Sequence, residues 1–126
     1  MSMRTPLGKV RGLGSAKSGT EHWWLQRVTA IANLPLTAFA VIFIIMHLGA
    51  SRADVVRSMG NPVVAILWGL FFLSVLWHMR LGLQVVIEDY VHGHRAKFAA
   101  LLFNTFFTLV LGAAALYAIL KMSFAL

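Results

Sequence analysis

Three long stretches without a single charged side chain decide what this chain can fold into. Between Arg27 and Arg52 lie 24 uncharged residues, between Arg57 and Arg80 lie 22, and between Lys97 and Lys121 lie 23. About 20 mostly apolar residues cross the hydrocarbon core of a bilayer, so each stretch is long enough to span it. In a chain of 126 residues that is 60% hydrophobic and 12% charged, three spans leave no room for a soluble catalytic domain. The fold class read from this pattern is all-α membrane protein, with three transmembrane helices at about 28–49, 62–88 and 98–122. Residues 1–22 read as a flexible basic cytoplasmic arm and 23–126 as the transmembrane domain. The absence of cysteine excludes disulfides, iron–sulfur ligation and thiol catalysis within the chain. No glycine-rich phosphate loop is present.

Placement of charge gives the orientation. Arg4, Lys9, Arg11, Lys17 and Arg27 precede the first span, and Arg95 and Lys97 separate the second from the third; Arg52, Arg57 and Lys121 fall on the other side. The positive-inside rule then puts the N-terminus and the second loop in the cytoplasm. Topology accounts for the basic excess, which leaves no basic stripe for nucleic acid. The first apolar run is too long for the h-region of a cleaved signal. The location expected is a bacterial inner membrane, multi-pass, with the Arg-rich, acid-poor N-terminus also compatible with an organellar origin. Trp23 and Trp24 suit the aromatic belt at the interface. Pro62 after Gly60-Asn61 opens the second helix, and Pro35 is expected to kink the first.

Polar residues at membrane depth are expensive and are therefore functional candidates. The second span carries His78, Arg80 and Gln84, then Glu88, Asp89 and Tyr90 at its exit. With the midpoint near Val75, His78 lies about 5 Å and Tyr90 about 22 Å toward the cytoplasmic side. A neutral imidazole at that depth serves either an interhelical hydrogen bond or metal ligation, and the residues alone leave both open. Gly82, one turn on, leaves a gap beside His78 that a flat macrocycle or a neighbouring helix could use. His47 lies near the opposite end of the first span, about 18 Å from His78 along the membrane normal. The two cannot share one iron, so any second ligand comes from another chain, and His47 reads as an interfacial hydrogen-bonding residue. Arg80, about 200° around the helix from His78, is expected to snorkel toward headgroups, with a lipid phosphate as candidate partner. His92 and His94 read as solvated loop histidines. Asn104, Thr108 and Gly112, spaced by four, mark a helix-packing face of the third span.

The segment from His78 through Gly82, Gln84 and Asp89-Tyr90 resembles the hydrophobic membrane anchors of succinate dehydrogenase, the succinate:quinone oxidoreductases. Members have three spans in about this length. On the second lie a histidine, a glycine four residues later, a Gln-Val pair and an Asp-Tyr pair whose tyrosine follows the histidine by twelve. Arg27-Val28-Thr29-Ala30 is similar to the family's opening of helix one. The resemblance implies that His78 is an axial ligand of haem b, and hence of its iron, with the other histidine supplied by a cytochrome b anchor subunit packed alongside. It implies that Arg27 approaches a haem propionate and that Tyr90 bonds a ubiquinone carbonyl, with Asp89 in the same pocket. The implied partners are the second anchor, an iron–sulfur subunit, a flavoprotein subunit, ubiquinone and membrane lipids. The implied function is anchoring and quinone reduction in respiratory electron transfer and the tricarboxylic acid cycle, as a subunit not catalytic on its own. A fumarate reductase anchor, a cofactor-free structural subunit of another respiratory complex, and a small oligomeric transporter using His78 and Arg80 are the competing readings.

Overall fold

A computed structural model describes residues 3–12 and 19–125; residues 1–2, 13–18 and 126 fall outside it. The described residues form five helices: α1 Pro6–Arg11, α2 Gly19–Met46, α3 Arg52–Met59, α4 Pro62–Tyr90 and α5 His94–Ser123. Helices α2, α4 and α5 are each long and apolar enough to cross a membrane, at 28, 29 and 30 residues. The chain is thus an all-helical, multi-pass membrane protein.

The helix ends follow local chemistry. Asn61 caps α4 by accepting from the Val63 N–H at 2.9 Å, and Pro62 occupies the first turn, where its missing N–H is not needed. Gly49 adopts φ +77 where the chain leaves α2, a conformation that disfavours a side chain. Helix α2 starts at Gly19, nine residues before the apolar run, so residues 19–22, read as part of the arm, are helical and continuous with the first span. The arm also contains α1, capped by Thr5; its residues 1–2 and 13–18 lie outside the described residues. Helix α2 also continues through Pro35 as a single element.

The loop between the first two spans contains α3. Ser51 accepts from the Asp54 N–H at 3.2 Å and donates to the Asp54 carboxylate at 2.7 Å, so backbone and side chain are satisfied together. That hydroxyl bond, with lesser help from Arg57, holds the Asp54 carboxyl below the usual aspartate range. Met59 at the end of α3 is 2% exposed, and Gly60 approaches the Ser123 carbonyl at the end of α5. Helix α3 therefore lies across one end of the bundle, here called the α3 end. The opposite, basic end holds the start of α2, Tyr90 and the start of α5.

Helix α4 is the central element, packing on α2 along one side and on α5 along the other, whereas α2 and α5 do not pack on each other. The α2–α4 seam has two halves. Toward the α3 end, Trp68 is surrounded by Phe39, Phe43, Phe71 and Phe72 with centroids 5.4–5.8 Å away, which is the packing use of aromatics expected at interfaces. Toward the basic end the seam is polar. On the other side of α4, buried Asn104 donates to the Arg80 carbonyl at 3.0 Å, and Gly112 allows α5 to approach Leu76. This agrees with the packing face read from Asn104, Thr108 and Gly112. Few side chains are buried, and large residues such as Ile31, Leu34 and Val110 are about two-thirds or more exposed. Such a surface requires lipid or partner helices around it.

Candidate functional site

The polar half of the seam is built by helical spacing. His22, Gln26, Thr29 and Asn33 recur on one face of α2, and Ser74, His78 and Gly82 on the facing stripe of α4. Running antiparallel, the two stripes meet in rungs. Ser74 donates to Asn33 Oδ1 at 2.6 Å and lies 3.2 Å from the Thr29 carbonyl. One turn on, His78 Nδ1 lies 3.0 Å from Thr29 Oγ1. Beyond that, the Gly82 position faces Gln26 Nε2, which a Cβ would meet at 3.7 Å.

The Thr29 hydroxyl favours one tautomer of the imidazole. It has one hydrogen, donated to the Leu25 carbonyl at 2.8 Å with Gln26 O at 3.2 Å, the back-bonding typical of threonine in helices. Its oxygen is left to accept, so Nδ1 of His78 carries the hydrogen and Nε2 carries the lone pair. Nε2 has no hydrogen-bond partner among the described residues. A histidine anchored through Nδ1–H with Nε2 bare is the arrangement metal-ligating histidines use. Gly82, one turn on, has no side chain of its own between α4 and Gln26, and a Cβ there would meet Gln26 Nε2 at 3.7 Å. Among the described residues no group of three or more His, Cys, Asp or Glu is gathered, so a metal on His78 needs its further ligands from a cofactor or another chain. The residues present therefore fit a haem held by one histidine from this chain.

The remaining residues singled out in the sequence lie at separate levels. Arg27 is two residues from Thr29, exposed on another face of α2, with its guanidinium 5.0 Å from the Trp23 ring centroid, within cation–π range. Tyr90 ends α4 and is 76% exposed. It is twelve residues, about 18 Å, from His78 along the helix. Asp89 beside it is exposed too, while Glu88 accepts from Gln84 at 2.9 Å. The chain thus offers two stations, an imidazole near the middle of α4 and an exposed acid–phenol pair at the basic end.

His47 has a local role. Its Nδ1 donates to the Phe43 carbonyl at 2.8 Å, its Nε2 accepts from Ser58 at 2.7 Å, and its ring stacks on Phe43. It ties α2 to α3 and has no free nitrogen. Because Thr29 is level with His78, the separation of His47 from His78 is 18 residues of α2, about 27 Å rather than the 18 Å read from the sequence.

Two groups escape the sequence reading. His22 Nε2 and Gln26 Oε1 are buried and unpartnered on the stripe that carries Thr29. Their spacing with Thr29 and Asn33 is the available signal, visible only once α2 is begun before residue 22.

Comparison with known proteins agrees with this architecture. Residues 1–112 match the model of the succinate dehydrogenase/fumarate reductase transmembrane subunit family. The chain is 35% identical over 118 residues to the succinate dehydrogenase hydrophobic membrane anchor subunit of Paracoccus denitrificans, covering 94% of this chain and 91% of that one. It is 34% identical to the Rickettsia conorii subunit of the same name, covering 81% and 82%. Against the succinate dehydrogenase membrane anchor subunit of Reclinomonas americana it is 32% identical, covering 68% and 73%. No solved structure matches significantly. Three spans, a lipid-ready surface and these relatives lead to one conclusion: the chain belongs to the family of succinate dehydrogenase/fumarate reductase transmembrane subunits.

Proposed function

We propose that this chain is the smaller membrane anchor of a succinate:ubiquinone oxidoreductase in a bacterial inner membrane. The basic end faces the cytoplasm, where seven of the Lys and Arg residues cluster. A flavoprotein and an iron–sulfur subunit dock on that end, and a cytochrome b anchor packs alongside in the membrane. The observation that carries the reading is His78, an imidazole near the midpoint of a spanning helix. Thr29 pairs with its Nδ1, and its Nε2 has no partner among the described residues.

Haem b, when bound, supplies a one-electron redox centre within the membrane. His78 would hold its iron through Nε2, with a further ligand coming from the second anchor. Arg27, exposed two residues from Thr29, is suited to pair with a propionate through its guanidinium. Tyr90 at the basic end holds ubiquinone by donating its phenolic hydrogen to a carbonyl oxygen, a bond that strengthens as that oxygen gains negative charge on reduction. Asp89, next to Tyr90 and open to water, relays protons toward the same oxygen. The relatives are named succinate dehydrogenase subunits, which favours succinate oxidation over fumarate reduction as the direction.

The test is isolation of the complex from native membranes, with a reduced-minus-oxidised spectrum and subunit masses. The expected result is b-type haem bands with a flavoprotein, an iron–sulfur protein and a second small anchor. Self-association of this chain alone, without flavin or haem, would overturn the reading.

A further inference from the structure

The side of α4 away from α2 carries a feature that the haem and quinone roles leave unused. A groove of about 690 Å³ runs between α4 and α5, walled by Gly69, Leu73 and Leu76 on α4 and Leu109, Gly112 and Leu116 on α5. Its one charged wall residue is Arg80, toward the basic end, where Thr105 and Thr108 also line it. From Gly69 to Arg80 is eleven residues, about 16 Å along the axis. The groove thus reaches from Arg80, on the basic side of the midpoint near Val75, past that midpoint to Gly69, a length that an acyl chain can fill.

Arg80 has no counter-ion among the described residues. The single ion pair there joins Arg57 and Asp54 on α3. The four acidic side chains of the whole sequence are Glu21, Asp54, Glu88 and Asp89, and none lines the groove. Nor do the neighbouring polar groups substitute for one. Thr105 and Thr108 turn their hydroxyls to the Leu101 and Asn104 carbonyls, and Asn104 gives its amide to the Arg80 carbonyl. A guanidinium this close to the middle of a spanning helix requires an anion or a route to the headgroups. The nearer headgroups are those at the basic end, and the long arginine stem can extend toward them.

We infer that Arg80 and the α4–α5 groove bind one phospholipid from the leaflet at the basic end. Its phosphodiester sits on the guanidinium and an acyl chain lies along the groove toward the α3 end. An unpaired cation at the basic end of an otherwise apolar channel complements a phosphate carrying a fatty chain. The occupied face is the α5 side of α4, so the lipid does not compete with a partner that reaches His78 on the α2 side.

The experiment counts phospholipid phosphorus in the purified, detergent-washed complex containing this chain, wild type against Arg80→Gln, Arg80→Lys and Gly69→Leu. A Cβ at position 69 would meet no heavy atom within 4 Å, so leucine there fills the groove without striking the fold. The wild type should keep one more tightly held phospholipid per copy than Arg80→Gln and Gly69→Leu, and Arg80→Lys should retain most of it. Haem absorbance and subunit stoichiometry should stay at wild-type levels in all of them. Phosphatidylglycerol should restore the heat stability of delipidated wild type, and inorganic phosphate should not. An unchanged lipid count in both Arg80→Gln and Gly69→Leu would overturn the inference. So would loss of a protein subunit from Arg80→Gln without loss of lipid, which would identify the anion as a carboxylate on a neighbouring helix.

Discussion

Thr29 and His78, on different spans and 49 residues apart in sequence, meet at 3.0 Å between hydroxyl oxygen and ring nitrogen. The back-bond of the threonine to the Leu25 carbonyl favours donation by the imidazole. A pair that looks like simple helix glue therefore also orients the ring and leaves Nε2 basic. The interhelical hydrogen bond and the metal ligand, opposed readings of His78 in the sequence, use different nitrogens and are compatible.

That compatibility predicts separable phenotypes. His78→Leu should abolish or sharply reduce the b-type haem bands of the complex. Thr29→Val keeps the ligand and removes only the group that orients it, so haem should still bind but about 10- to 100-fold more weakly, the usual effect of losing such support. Haem retention against an apo-protein scavenger measures both. Full loss in Thr29→Val, or unaltered bands in His78→Leu, would refute the division of labour.

Tyr90 supplies a prediction about the basic end. Tyr90→Phe leaves the aromatic ring and removes one donor to a quinone oxygen that becomes negative. Hydrogen bonds to charged groups are worth about 1.5–3 kcal/mol, so quinone reduction should fall by about 10- to 150-fold. Succinate oxidation coupled to an artificial dye should stay near the wild-type rate. A parallel loss of both activities would point instead to a defect in assembly.

Most of the spanning architecture is legible in the sequence because charge gaps and span lengths are strong signals, and α4 and α5 start within a few residues of their expected positions. The start of α2 lies nine residues before the expected one, since Gly19–Arg27 is polar and only the apolar run advertises a helix. The same polarity hides the stripe of His22, Gln26, Thr29 and Asn33. Helix α3 is hard to read although Ser51 and Asp54 have capping-box spacing, because its eight residues lie between two much stronger hydrophobic signals. The level of His47 relative to His78 is not recoverable from sequence at all. It depends on the register of α2 against α4, which the Thr29 and Ser74 contacts determine and neither helix encodes alone.

That register predicts the behaviour of Ser74. Its hydroxyl bonds Asn33 Oδ1 at 2.6 Å and is 9% exposed. Ser74→Ala leaves the Asn33 oxygen without its donor. Interhelical hydrogen bonds in membranes contribute about 0.6 kcal/mol on average and up to about 1.7, so a loss in this range is expected. Unfolding in mixed micelles, with Asn33→Ala and the double variant completing a cycle, measures it. Strict additivity of the two single changes would show that the pair does not interact.

Asp54 gives a prediction about pH at the α3 end, outside the spans. Its carboxyl is held below the ordinary value chiefly by the Ser51 hydroxyl. A carboxyl with a depressed folded-state pKa stabilises the fold above its unfolded value near about 3.9, and that contribution disappears as pH falls through the lower, folded value. Helix α3 should therefore stay intact down to about pH 4 and loosen in more acidic solution. Ser51→Ala removes the hydroxyl that accepts from the Asp54 N–H and donates to its carboxylate. In that variant the Asp54 titration should move back toward the ordinary range, with α3 less protected from hydrogen exchange at neutral pH. Carboxyl-detected NMR in micelles follows the titration directly. An ordinary Asp54 titration in the unaltered chain, or one indifferent to Ser51→Ala, would show that the cap does not act on the carboxylate.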